Sequence, residues 1–168
     1  MHIGWKILIV KLALASVACS ASAQGQFSPI SFDELQPVFD RALQLHRDIL
    51  SAESAILTAR PSQTGLTNSL CFTALATSTT LLNADLWRLQ TLTYLAEQMH
   101  DPDEAQMVLS QIKDGSVALL ARIETDRRSI NQTPNSCPTN TFVAVKAQEL
   151  LNLYTSATSA LRTIVRRL

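Results

Sequence analysis

The sequence predicts an all-α protein, an up-down-up-down four-helix bundle closed by one disulfide, on three observations. Four segments place apolar residues at alternating steps of three and four, the spacing of one helix face. The breaks between them are short and rich in turn formers, which makes consecutive helices antiparallel neighbours. Two cysteines fall where the two parallel helices of such a bundle begin. No segment alternates with the period of a strand.

The first eleven residues hold His2, Lys6 and Lys11, an apolar run follows from Leu12 to Ala18, and Ala21-Ser22-Ala23 is a small-residue cleavage pattern. Residues 1–23 read as a secretory signal peptide. The apolar run is far shorter than the ~20 residues that span a bilayer, so it reads as removed, not as an anchor. Cys19 would be the acylated residue of a lipoprotein, but Ser16 stands where that motif wants a branched apolar side chain. Residues 24–30 form a flexible polar tail, and 31–168 carry the bundle.

Export gives the cysteines their meaning, because a thiol pair outside the cytosol is oxidised. Removal of the leader removes Cys19 and leaves Cys71 and Cys137, with a single possible pairing. Neither has a second cysteine or histidine at the short spacing of a zinc site. A Cys71–Cys137 disulfide is expected. Without Lys6 and Lys11 the chain keeps twelve basic residues against fourteen acidic ones, a balance that offers no field for nucleic acid. At about 145 residues it is long enough to bury a core of its own.

Helix 1 is expected over about 31–60. Ser31 and Glu34 have capping-box spacing, while Pro37 belongs within a first turn, so the helix begins near Leu35 or kinks there. Leu35, Val38, Ala42, Leu45, Ile49, Ala52, Ile56 and Ala59 form a heptad seam, widened by Phe39, Leu43, Leu50 and Leu57. Pro61 to Gly65 is the first break. Helix 2, about 67–100, has a stripe of Leu75, Leu82, Leu86, Leu89, Leu92, Ala96 and Met99, with Leu81 and Leu95 at its margin.

Asp101 and Pro102 punctuate the start of helix 3, about 102–132, as cap and first helical residue. Its buried side is Ala105, Val108, Ile112, Leu119, Ile123 and Ile130. Gly115 interrupts the pattern at a cost of ~1 kcal/mol against alanine and marks a kink or a close helix approach. Asn131 to Asn140 is the second break. Helix 4, about 139–168, buries Val143, Ala147, Leu150, Tyr154, Ala157, Leu161, Ile164 and Leu168. Helices 2 and 4 then start at the same end of the bundle, which brings Cys71 and Cys137 together. Closing that loop is worth ~4 kcal/mol at most in the chain-entropy account.

No catalytic, cofactor or metal motif is present. Glu97 and His100 have the spacing of a di-metal bundle, but a second such pair and two further acids are missing, so no metal is expected. His46 sits beside the helix 1 stripe and reads as partly covered. Asp85, among leucines, must be paired or solvated; Arg88 or a cation of a neighbouring helix would pair it. The sharper alternative makes Asp85 and Arg88 ligand-orienting groups in a cavity between helices. Thr73, Thr77, Ser78, Thr79 and Thr80 either bond back to helix carbonyls or line a polar cavity. Asn131-Gln132-Thr133 is a glycosylation sequon, of use only in a eukaryotic secretory pathway.

Trp87, Thr91 and Tyr94 lie on one line away from the leucine stripe, where exposed amphipathic aromatics mark interfaces. These readings predict an exported, non-enzymatic protein, periplasmic or extracellular, that meets a protein partner or its own copy through helix 2. A small-ligand carrier is the alternative.

Overall fold

The computed structural model describes residues 31–58, 63–137 and 140–168. The leader, Cys19, the tail, Ala59 and Pro61 lie outside the described residues. A short 3-10 turn, Phe32–Glu34, precedes four helices: α1 (Gln36–Thr58), α2 (Gln63–Gln98), α3 (Pro102–Ser136) and α4 (Thr141–Arg167). The structure is the expected all-α four-helix bundle with a Cys71–Cys137 disulfide, whose Cα atoms stand 6.6 Å apart.

Cross-helix contacts establish the direction of each neighbour. Between α1 and α2, Gln36 meets Gln90, Ala42 meets Asn83, His46 meets Thr79 and Glu53 meets Thr73. One number rises as the other falls, so the pair is antiparallel. Asp85 with Arg122 and Leu89 with Gly115 show the same for α2 and α3. Asp48 with Lys146 and Glu34 with Arg167 show it for α1 and α4. The helices form a ring in which α2 packs between α1 and α3, with α4 on the diagonal.

The starts follow cap chemistry with one correction. Ser31 Oγ accepts from the Asp33 amide at 3.0 Å, but it caps the 3-10 turn. Glu34 does not reach back to complete a capping box; it pairs with Arg167 at 2.8 Å, so a charge on α4 takes the carboxylate away from the local motif. Pro37 falls inside the first turn of α1, where its missing N–H has no partner to lose. Asp101 Oδ1 accepts from the Asp103 amide at 2.8 Å, and Asn140 Oδ1 from the Val143 amide at 3.1 Å.

Two boundaries lie further out than the turn formers suggest. α2 already runs from Gln63, through Gly65, and α3 continues past Asn131 and Pro134 to Ser136. Gly65 lies in the first turn of α2 and Pro134 in the last turn of α3, where the proline forgoes its own bond to the Ile130 carbonyl and little helix remains beyond it to disturb. The Cys137 amide still bonds the Thr133 carbonyl at 3.2 Å, carrying helical bonding past the proline.

The core holds the expected stripes: Leu35 through Ile49 of α1, Leu75 through Leu89 of α2, Ala105 through Ile130 of α3 and Val143 through Ile164 of α4. Phe39, Ala52, Leu92, Ala96, Met99 and Leu168 are partly covered. Leu50, expected to widen the α1 stripe, is exposed instead, as are Leu81 and Leu95 of α2. A ring of only four helices leaves each of them a narrower buried arc than the width of these stripes. α3 runs through Gly115 without a break; a Cβ there would stand 3.2 Å from Leu89 Cδ2, so the glycine serves a close approach and not a kink.

Candidate functional site

α2 has two apolar sides. Its inner side buries Leu75, Leu82, Leu86 and Leu89. One residue on from Leu86 the helix turns by about 100°, and Trp87 points out at 61% exposure; two turns further Tyr94 is 62% exposed. Thr91 stands between them, its hydroxyl donating to the Trp87 carbonyl at 3.0 Å. The three residues singled out by spacing therefore share one exposed line.

The line is part of a wider strip that sequence spacing missed. Leu70, Leu81 and Leu95 are 73%, 43% and 42% exposed, with Ala74, Thr77, Thr80 and Ala84 among them. Of the exposed residues between Leu70 and Leu95 only Arg88 is charged. A legible signal existed: from Asn68 to Leu95 the sequence carries just Asp85 and Arg88 as charged residues, too few for a helix with a solvated outer face.

Not all of the expected neighbours lie there. Asn83 is buried against α1, its Nδ2 donating to the Ala42 carbonyl at 3.4 Å while its Oδ1 has no partner. Gln90 donates to Gln36 Oε1 at 3.0 Å. Both turn toward α1 and hold the seam behind the strip.

Asp85 points to the other flank and pairs with Arg122 of α3. Arg88, one turn on, is exposed and is not part of that pair. The grooves between α3 and α4, α1 and α4, and α1 and α2 are lined without Asp85.

The threonine-rich run divides by face. Thr79 is buried, bonds the Leu75 and Ala76 carbonyls at 3.0 Å each, and meets His46 Nδ1 at 2.8 Å; Thr80 bonds Ala76 at 2.8 Å. Thr73 donates to Glu53 at 2.8 Å. Thr73, Thr77 and Thr80 border an open groove of about 420 Å³ against His46 and Glu53 of α1. His100 is exposed and its Nδ1 meets the Gln98 carbonyl at 3.0 Å. Among the described residues no group of histidines, cysteines and acids could hold a metal ion, and no helix is long and apolar enough to cross a membrane.

The charged chemistry lies on the α1–α4 side. Lys146 Nζ bonds Asp48 at 3.0 Å and Glu149 at 2.9 Å and stands 5.5 Å from the centre of the Phe142 ring. Hydrogen bonds from Lys146 and Gln44 hold Asp48 below the usual carboxylate range. Burial pulls the Lys146 ammonium down, but its bonds to Glu149 and Asp48 outweigh that and leave it above its ordinary value. Burial, then the charge of Asp126, pushes the Tyr154 hydroxyl well above its usual range; it donates to Asp126 at 3.1 Å. These contacts are spent on holding helices together. Thr79, whose hydroxyl meets the His46 imidazole, is fully buried; what the arrangement offers outward is the strip on α2. No family model, no curated protein and no solved structure matches this chain.

Proposed function

We propose that the chain is an exported, non-enzymatic bundle protein that contacts a protein partner through the outward face of α2. One observation carries the reading: Trp87 and Tyr94 stand more than half exposed on a strip with Arg88 as its one charge. Rigid amphipathic aromatics on an uncharged surface are what protein interfaces are enriched in. The leader pattern and the disulfide support an oxidising destination, periplasmic or extracellular.

Placing a photo-crosslinking residue at Trp87 or at Tyr94 in producing cells tests this. Adducts are expected from both positions and not from Lys113, an exposed residue of α3. Equal adducts at all three, or none at Trp87 and Tyr94, would remove the reading. The small-ligand alternative draws on the open groove beside Thr73, Thr77 and Thr80. It has less support, because Asp85, its orienting carboxylate, already serves Arg122.

A further inference from the structure

We propose that the partner on this face is a second copy of the same chain, laid antiparallel across the first with a two-fold axis at Ala84. The inference rests on the preceding reading of the α2 strip as an interaction surface.

The strip is self-complementary about that residue. A two-fold axis just outside Ala84, at right angles to the helix and to the outward radius of that residue, reverses the height along the helix and keeps the flank. Residue 84 + n of one copy therefore lies level with residue 84 − n of the other and packs on the neighbour of its own flank. Trp87 then lies over Thr80, Tyr94 over Thr73 and Thr91 beside Thr77. All six are exposed. Large side chains meet smaller ones along the contact, and Ala84 meets itself at the centre, where a methyl group permits the 8–10 Å spacing of packed helices.

The charges agree with this register. Arg88 lies over Leu81, and the two guanidinium groups are about 12 Å apart along the helices, beyond the ~8 Å screening length of physiological salt. An axis one turn along, at Arg88, would bring them face to face. An axis at Thr91 would leave Leu70 and Leu81 uncovered.

The area is sufficient. Exposures of 61% and 62% for Trp87 and Tyr94, and of 73%, 43% and 42% for Leu70, Leu81 and Leu95, amount to roughly 500 Å² for large side chains that bury on the order of 150–250 Å² each when fully covered. The exposed threonines and alanines between them bring the strip near the ~800 Å² per partner of a standard interface.

Analytical ultracentrifugation of the purified 24–168 chain, with disulfide trapping, tests the proposal. A reversible dimer is expected, with its Kd raised at least ~30-fold by Trp87→Ala while circular dichroism stays unchanged. Without reductant, Ala84→Cys should link two chains. Lys113→Cys should not, nor should Tyr94→Cys alone, whose copies lie about 30 Å apart; Tyr94→Cys combined with Thr73→Cys should link again. A monomer up to ~1 mM overturns the proposal, as does linkage through Thr91→Cys in preference to Ala84→Cys. The two readings fail separately. A Trp87 photo-adduct with a different protein, beside a monomeric pure chain, overturns the second copy and keeps the surface. No adduct at all overturns both.

Discussion

α2 and α4 run parallel on opposite corners of the bundle, with the Cys71–Cys137 disulfide tying α2 to the connection that leads from α3 into α4, and they differ in what they show to the outside. The exposed side of α4 carries Glu149, Arg162, Arg166 and Arg167, with Lys146 half-buried at its edge; the exposed side of α2 between Leu70 and Leu95 carries Arg88 alone. A helix bordered by water on its outer side gains nothing from aromatic and leucine side chains there, and the usual solution is the one seen in α4. On the proposed reading the difference teaches that the two corners meet different surroundings, although the inner faces of both are built alike.

The largest loss is expected at the covalent link between α2 and the segment just ahead of α4. Cys71→Ser with Cys137→Ser should lower unfolding free energy by as much as about 4 kcal/mol, read by urea denaturation and matched by the wild-type chain in reductant. A smaller loss, about 3 kcal/mol, is expected for Leu86→Ala, whose side chain is fully buried. Its neighbour sharpens the contrast: Trp87→Ala, measured at a dilution where the chain is monomeric, should stay within about 0.5 kcal/mol of wild type. Comparable losses at 86 and 87 would mean that α2 has no free side.

The pH response should belong to α4. Lys146 and Tyr154 both have raised values in the folded chain, so their contributions are complete below their ordinary values of 10.5 and 10.0 and are lost as pH rises beyond them. Asp48 is lowered, so its contribution is present above 3.8 and is lost as pH falls through the lower folded value. Lys146→Met should flatten both limbs of a melting-temperature profile, and Tyr154→Phe the alkaline limb only; unchanged limbs in both variants would contradict the α4 contacts. The smallest effect is expected at Gly115→Ala. The helix gains ~1 kcal/mol of propensity, offset by the 3.2 Å approach to Leu89 Cδ2, a movable chain end. A shift of under ~3 °C is expected in a thermal melt.

Much of the bundle was legible because burial repeats with the helical period. The α3 and α4 stripes read from spacing are the ones that are covered, and the Asp101 cap acts on an amide two residues away. Leu50, read as widening the α1 stripe, and Leu81 and Leu95, read as the margin of the α2 stripe, are exposed because periodicity gives a direction around the helix and not the width of the neighbouring helices. The extension of α3 through Pro134 escaped because a proline reads as a helix stop, whereas here the one amide bond it removes falls in the last turn, and only the complete helix shows where that turn lies. For the candidate site, the Trp87, Thr91 and Tyr94 line was visible as spacing, while its continuation to Leu70 was hidden among apparent core leucines.

By itself the sequence determined the helices, their buried sides and which cysteines could pair, since each depends on residue type and short-range spacing. Only the tertiary structure decided that Arg122 and not Arg88 takes Asp85, that Asn83 and Gln90 turn to α1, and that Glu34 leaves its cap for Arg167. Those outcomes depend on which side chains from distant parts of the chain arrive at one level of the bundle. Local spacing has no term for that, and it is the same long-range packing that leaves the α2 strip uncovered.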